Sequence, residues 1–161
     1  MRSTCWVFVL ALAAGCVPRA PDHPPPPPLQ VREVQTRTYD TADTGMVMKA
    51  LVNVLQDDGF VLQNTDADLG VIMASKDKTV REWHGGFLYS WDVKYAWVCS
   101  VNITPFGQQT KVRVSVQVRE AHGPEWTSPP REVVSEVDDP TYYQDFFAKV
   151  DKGIYLQKER L

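Results

Sequence analysis

The chain has 161 residues, with 20 acidic against 17 basic side chains and 43% hydrophobic residues. A net charge of −3 with both signs interspersed excludes the basic footprint of a nucleic-acid binder. After the N-terminal apolar run, no segment approaches the roughly 20 residues needed to span a bilayer.

That N-terminal run is the first element. Met1-Arg2-Ser3 gives a minimal positive start, Trp6 to Leu12 is an apolar core of export-signal length, and small residues follow. The sequence Leu12-Ala13-Ala14-Gly15-Cys16 resembles the lipobox of bacterial lipoproteins, with Ala13 where leucine is favoured. The resemblance implies that residues 1–15 are a signal peptide, that the chain is cut before Cys16, and that Cys16 is lipidated. An aspartate after the lipidated cysteine marks inner-membrane retention in such proteins, and this chain has Val17. The resemblance therefore implies an outer-membrane lipoprotein on the periplasmic face. Residues 16–30 then read as the lipidated cysteine and a proline-rich tether, with Pro18, Pro21 and the run Pro24 to Pro28. Proline fixes φ and removes a donor, so a polyproline II spacer of about 30 Å is expected. A proline-rich recognition ligand is the alternative for this stretch.

Residues 31–161 read as one domain. Residues 31–39, rich in β-branched side chains, predict a strand. Asp43 or Thr44 then caps a helix whose apolar face is Val47, Ala50, Leu51, Val54 and Leu55, stopped by Gly59. Phe60 to Gln63 and Leu69 to Ala74 predict two strands joined by a turn at Asn64 to Asp68, a hairpin packed on the helix. From Phe87 to Ile103 every odd position is apolar. That alternation is longer than an ordinary strand and predicts a loop or bulge near Tyr89 to Asp92. Pro105-Phe106-Gly107 turns the chain into Lys111 to Arg119, whose valines alternate with polar residues. A glycine- and proline-containing loop from His122 to Pro130 leads to a strand over residues 131–137. Asp138-Asp139-Pro140 opens a second helix with Tyr143, Phe146, Phe147, Val150 and Ile154 on its core side.

The element order is β-α-β-β-β-β-β-α, an α+β two-layer sandwich of a mostly antiparallel sheet against two helices. Either terminal strand, 31–39 or 131–137, is a candidate edge. The helix ending Leu55-Gln56-Asp57-Asp58-Gly59-Phe60, the Leu69-Gly70-Val71-Ile72 hairpin and the Tyr142-Tyr143-x-x-Phe146-Phe147 helix resemble a group of proteobacterial envelope lipoproteins. By element order alone the domain is also similar to the helix-grip domains of BamC-type lipoproteins of the outer-membrane β-barrel assembly machine. Fold does not fix function.

Chemistry is sparse. After Cys5 and Cys16, Cys99 stands alone in an alternating strand, where a small buried hydrophobe is expected. His23, His84 and His122 have no nucleophile beside them, and no Gly-x-Ser-x-Gly elbow occurs. The pairs Asp57-Asp58 and Asp138-Asp139 suit helix ends, and Asp66-Ala67-Asp68 lacks the glycine and distal glutamate of a calcium loop. No enzyme, cofactor or metal is expected. The notable cluster is Trp83-His84-Gly85-Gly86-Phe87-Leu88-Tyr89-Ser90-Trp91, ahead of Tyr95 and Trp97, with Trp126 in a second loop. Gly85-Gly86 marks a turn, and turns lie on the surface. Trp83, His84, Phe87, Tyr89, Trp91 and Trp126 are therefore the candidate interaction surface; the alternative is that these aromatics complete the core. The expectation is a lipid-anchored binding or assembly module for a membrane-associated protein partner. A module holding a glycan, a peptidoglycan fragment or a lipid at the aromatic edge is the alternative.

Overall fold

The computed structural model describes residues 28–84, 89–122 and 131–159. The expected signal peptide, the expected lipidation site Cys16 and most of the expected proline-rich tether lie outside the described residues. Pro28 opens a short helix, α1 (Pro28–Val34), followed by β1 (Thr36–Tyr39). The strand expected over 31–39 is thus helical in its first half. Proline at the first helical position is pre-organised for a helix, and Val31 and Val34, three apart, share a face that puts Val34 against the core.

Helix α2 (Thr44–Asp57) follows the expected pattern, with the Asp43 carboxylate accepting from the Met46 amide at 2.8 Å. Val47, Ala50, Leu51, Val54 and Leu55 are buried. It ends in a Schellman motif: Gly59, at φ 82°, donates to the Gln56 carbonyl, and the Phe60 amide reaches Leu55. Strands β2 (Val61–Asp66) and β3 (Val71–His84) form the hairpin packed on this helix. A bulge between Leu62 and Asn64 lets Asn64 and Thr65 stay in the ladder, so the turn comes later than expected, over residues 67–70. There the Asp66 carboxylate accepts from the amides of Asp68 and Leu69. Gly70 completes the turn at φ 66°, where a Cβ would collide with the Ile103 carbonyl oxygen.

Strand β4 (Tyr89–Phe106) runs 18 residues. The expected break near Tyr89 to Asp92 does not occur. β3 is as long as the ladder requires and pairs with β4 without a shift from Val71–Asn102 to His84–Tyr89. Strands β5 (Gln109–His122) and β6 (Arg131–Glu136) complete an antiparallel sheet, and α3 (Pro140–Lys158), capped by Asp139, closes the chain. The sheet order is β1-β5-β4-β3-β2, with β6 also on β5. The fold is therefore the α+β sandwich expected, with α1 added. Ile72, Ala74, Cys99, Val101, Ile103, Val112, Val114 and Val116 meet the buried stripes of α2 and α3 on one face.

Both terminal strands are edges, and they share one side of β5. β1 pairs with Thr110 to Arg113 and β6 with Gln117 to His122. The seam between them is filled by two buried side chains, Gln35 and Tyr143. The Gln35 carbonyl accepts from the Val114 amide at 2.8 Å, and its Nε2 donates to Glu136 and to the Tyr143 hydroxyl. The Tyr143 hydroxyl donates to the Val137 carbonyl at 2.8 Å and accepts from the Val116 amide at 3.3 Å. Tyr143→Phe leaves those backbone groups unpaired in the core and should cost about 1–3 kcal/mol, read as a lower urea midpoint. Gly70→Ala should cost about 1–3 kcal/mol for the backbone conformation alone; a midpoint equal to wild type would show that the turn tolerates a side chain there.

Candidate functional site

The helices cover only part of the sheet. β2 accompanies β3 no further than Ser75, and β5 accompanies β4 no further than Lys94. Among the described residues, Lys76–His84 therefore pair with β4 alone, and Tyr89–Val93 with β3 alone. The result is a two-stranded arm that overshoots the last β4–β5 rung by five residues, about 16 Å of strand.

The base of the arm is anchored and its end is solvated. Val93 is fully buried opposite Val80. Directly opposite each other, Arg81 Nε donates to Asp92 at 3.0 Å across the ladder, an exposed pair in which the carboxylate raises the guanidinium pKa further. The Tyr95 hydroxyl donates to Glu82 at 3.2 Å, and Tyr95 stacks on Trp97 with centroids 5.8 Å apart. Partial burial, then the Glu82 carboxylate, push the Tyr95 pKa above the ordinary phenol range.

Trp83, opposite Ser90, is 64% exposed, so this member of the aromatic cluster is on the surface rather than in the core. His84 faces Tyr89 and Glu82 faces Trp91 in backbone register. Phe87 and Trp126 lie outside the described residues, as do the connections 85–88 and 123–130. The topology does bring the ends of both hairpins, His84/Tyr89 and His122/Arg131, to the same end of the sheet. Two features escaped the sequence. Val133 and Val134 are exposed on the β6 edge, and a lysine-rimmed concavity lies where β3 leaves the helices. The alternation Lys76-x-Lys78 opposite Trp97 and Tyr95 was the available signal for the second.

Among the described residues no three His, Cys, Asp or Glu side chains come together, and no helix is long and apolar enough to cross a membrane. Cys99 is buried, and desolvation pushes its thiol up to about 12. It should therefore resist iodoacetamide at about pH 8 in the native protein and react once urea unfolds the chain, with mass spectrometry locating the label. The unfolded thiol ionises from about pH 8.5. Above that, the unfolded chain holds fewer protons than the native one, so this group makes stability fall as pH rises.

No family model and no curated protein matches the chain. Among solved structures it is similar to a DUF4468 family protein from Bacteroides ovatus, at 7% identity and a TM-score of 0.43, covering 74% of this chain and 84% of that one. It is also similar to a TBP-like protein from Parabacteroides distasonis, at 10% identity and a TM-score of 0.38, covering 74% of this chain and 90% of that one.

Proposed function

We propose that this chain is a lipid-anchored lipoprotein of the outer membrane, facing the periplasm, whose β3–β4 arm binds a membrane-associated protein partner. The anchor rests on Leu12 to Cys16, and the proline run supplies the spacer between the acyl chains and the domain. The observation that supports the binding role is the arm itself. It leaves the sheet with a strand edge, Lys76–His84, paired on one side only among the described residues, and with Trp83 exposed on it.

The physics of such a surface favours a protein ligand. A free strand edge presents a row of backbone donors and acceptors that an extended segment satisfies, which supplies affinity without side-chain identity. Tryptophan adds a large rigid contact of the kind that dominates interface energetics. Lipidation then confines the domain to a thin layer at the membrane and raises its effective concentration for a partner in the same bilayer. With two or more acyl chains, at about 0.8 kcal/mol per buried methylene, the anchor is close to permanent. The domain itself acts in recognition and carries no step of chemistry.

Cys16→Ser should move the protein from the membrane fraction to the soluble one or leave it as an uncleaved precursor; unchanged fractionation would refute the anchor. A photo-crosslinking side chain at Trp83 should capture one envelope protein from intact cells, whereas one at Gln56, exposed on α2, should capture none. Trp83→Ala should reduce that association while shifting stability by no more than about 0.5 kcal/mol, because the side chain is exposed. Equal capture from both positions would remove the arm from consideration.

A further inference from the structure

Where β3 leaves the cover of the helices, a cavity of about 370 Å³ opens between the end of α2, the sheet and the first turns of α3. Its walls are aromatic: Phe60, Trp97 and Tyr142. Its rim is cationic, with Lys76, Lys78 and Lys149 set against a single carboxylate, Asp58. In a chain of net charge −3, a concavity with three lysines to one acid runs against the overall trend.

Two of the lysines are held in place. Lys76 donates to the Asp58 carbonyl at 2.7 Å, at the end of α2, and its ammonium sits 5.8 Å from the Phe60 ring centroid. Lys149 is ion-paired with the Asp58 carboxylate. Asp58 thus fixes two of the three ammonium groups from the C-cap of α2, while the side chain of Lys78, exposed on β3, makes no hydrogen bond or ion pair among the described residues. Fixed cations lose little entropy on meeting an anion, which is the benefit of preorganisation. The Trp97 ring is half-buried, stacks with Tyr95 and lines the cavity as a flat aromatic wall. The volume falls within the range of small-molecule sites.

We infer that this cavity binds a small anionic ring ligand, a sugar acid or sugar phosphate, with its ring on the Trp97 wall and its anionic group at Lys76, Lys78 and Lys149. This goes beyond the protein-binding role of the arm and does not depend on it, because the arm's crosslinks report on Trp83 and the cavity is read through Trp97.

The test is a titration of the protein, purified as its host processes it and carrying ¹⁵N-tryptophan, with glucuronic acid, glucose 6-phosphate and neutral glucose. The Trp97 indole resonance is assigned by its loss in Trp97→Phe. A saturable shift of that resonance is expected with at least one of the two acids, binding at least about tenfold more tightly than glucose. The two acids distinguish a carboxylate from a phosphate ligand. Lys78→Ala, a change at an exposed position, should weaken that binding by about tenfold, the loss of one charge-assisted contact. No saturable Trp97 shift with either acid up to about 10 mM would overturn the inference. So would glucose binding as well as the acids, or Lys78→Ala binding as wild type does.

Discussion

A strand has two sides, and β5 uses one of them for two different neighbours. β1 takes one half of that side and β6 the other, which leaves a gap around Val114 to Val116 in the middle of the core. Unpaired backbone groups at such a place would carry a large desolvation cost. Gln35 and Tyr143 remove it. The amide of Val114 finds the Gln35 carbonyl, the amide of Val116 finds the Tyr143 hydroxyl, and the Val137 amide returns to the Val116 carbonyl. Because Gln35 follows α1, Glu136 ends β6 and Tyr143 belongs to α3, the same few hydrogen bonds tie the first helix, the last strand and the last helix to one sheet edge.

That closure divides the molecule into two mechanical regimes. The base, where α2 and α3 lie on the sheet, buries Leu51, Leu55, Phe147, Val112, Val114 and Val116 and is rigid in the way close-packed interiors are. Among the described residues the arm is joined by its cross-strand bonds, the buried Val93, the exposed Arg81–Asp92 pair and the Tyr95–Glu82 hydrogen bond, and no helix packs along it as α2 and α3 do on the base. Elements of low contact density sit at the low end of local stability, and binding segments are drawn from that end. The same junction that frees the arm also opens the lysine-rimmed cavity, because the helices stop covering the sheet there. A single boundary, the end of the helical layer, thus sets both surfaces.

The sequence was most legible where one face of an element is buried. The caps and stripes of α2 and α3 were readable because Asp43, Gly59, Asp139 and the apolar residues between them follow local rules. The valines of β5 were readable for the same reason. Past Ser75 the helices no longer lie over β3, so Lys76-Asp77-Lys78-Thr79 is polar on both faces and the period-2 signal vanishes although the strand continues. The first helix was misread because Val31-Arg-Glu-Val34 satisfies a β-branched pattern and an i, i+3 pattern equally well. The shared edge of β5 and the cavity were invisible for another reason. Each gathers residues from elements far apart in the chain, and local periodicity carries no record of which elements meet. Trp83 was legible as a surface residue because the Gly85-Gly86 pair in the sequence signals a turn beside it, whereas the break in β4, expected from the length of the alternation, does not occur because β3 is long enough to pair with it.

A helix-backed base, sealed by Gln35 and Tyr143, carries an arm that no helix packs along among the described residues. Residue-resolved native-state hydrogen exchange tests this division directly. The amides of Val112, Val114 and Val116 should exchange only through global unfolding, and those of Thr79 to His84 should exchange through local opening at far lower free energy. Equal protection of the arm and the base would contradict the account, since it would mean that the arm is held by contacts as extensive as those of the core.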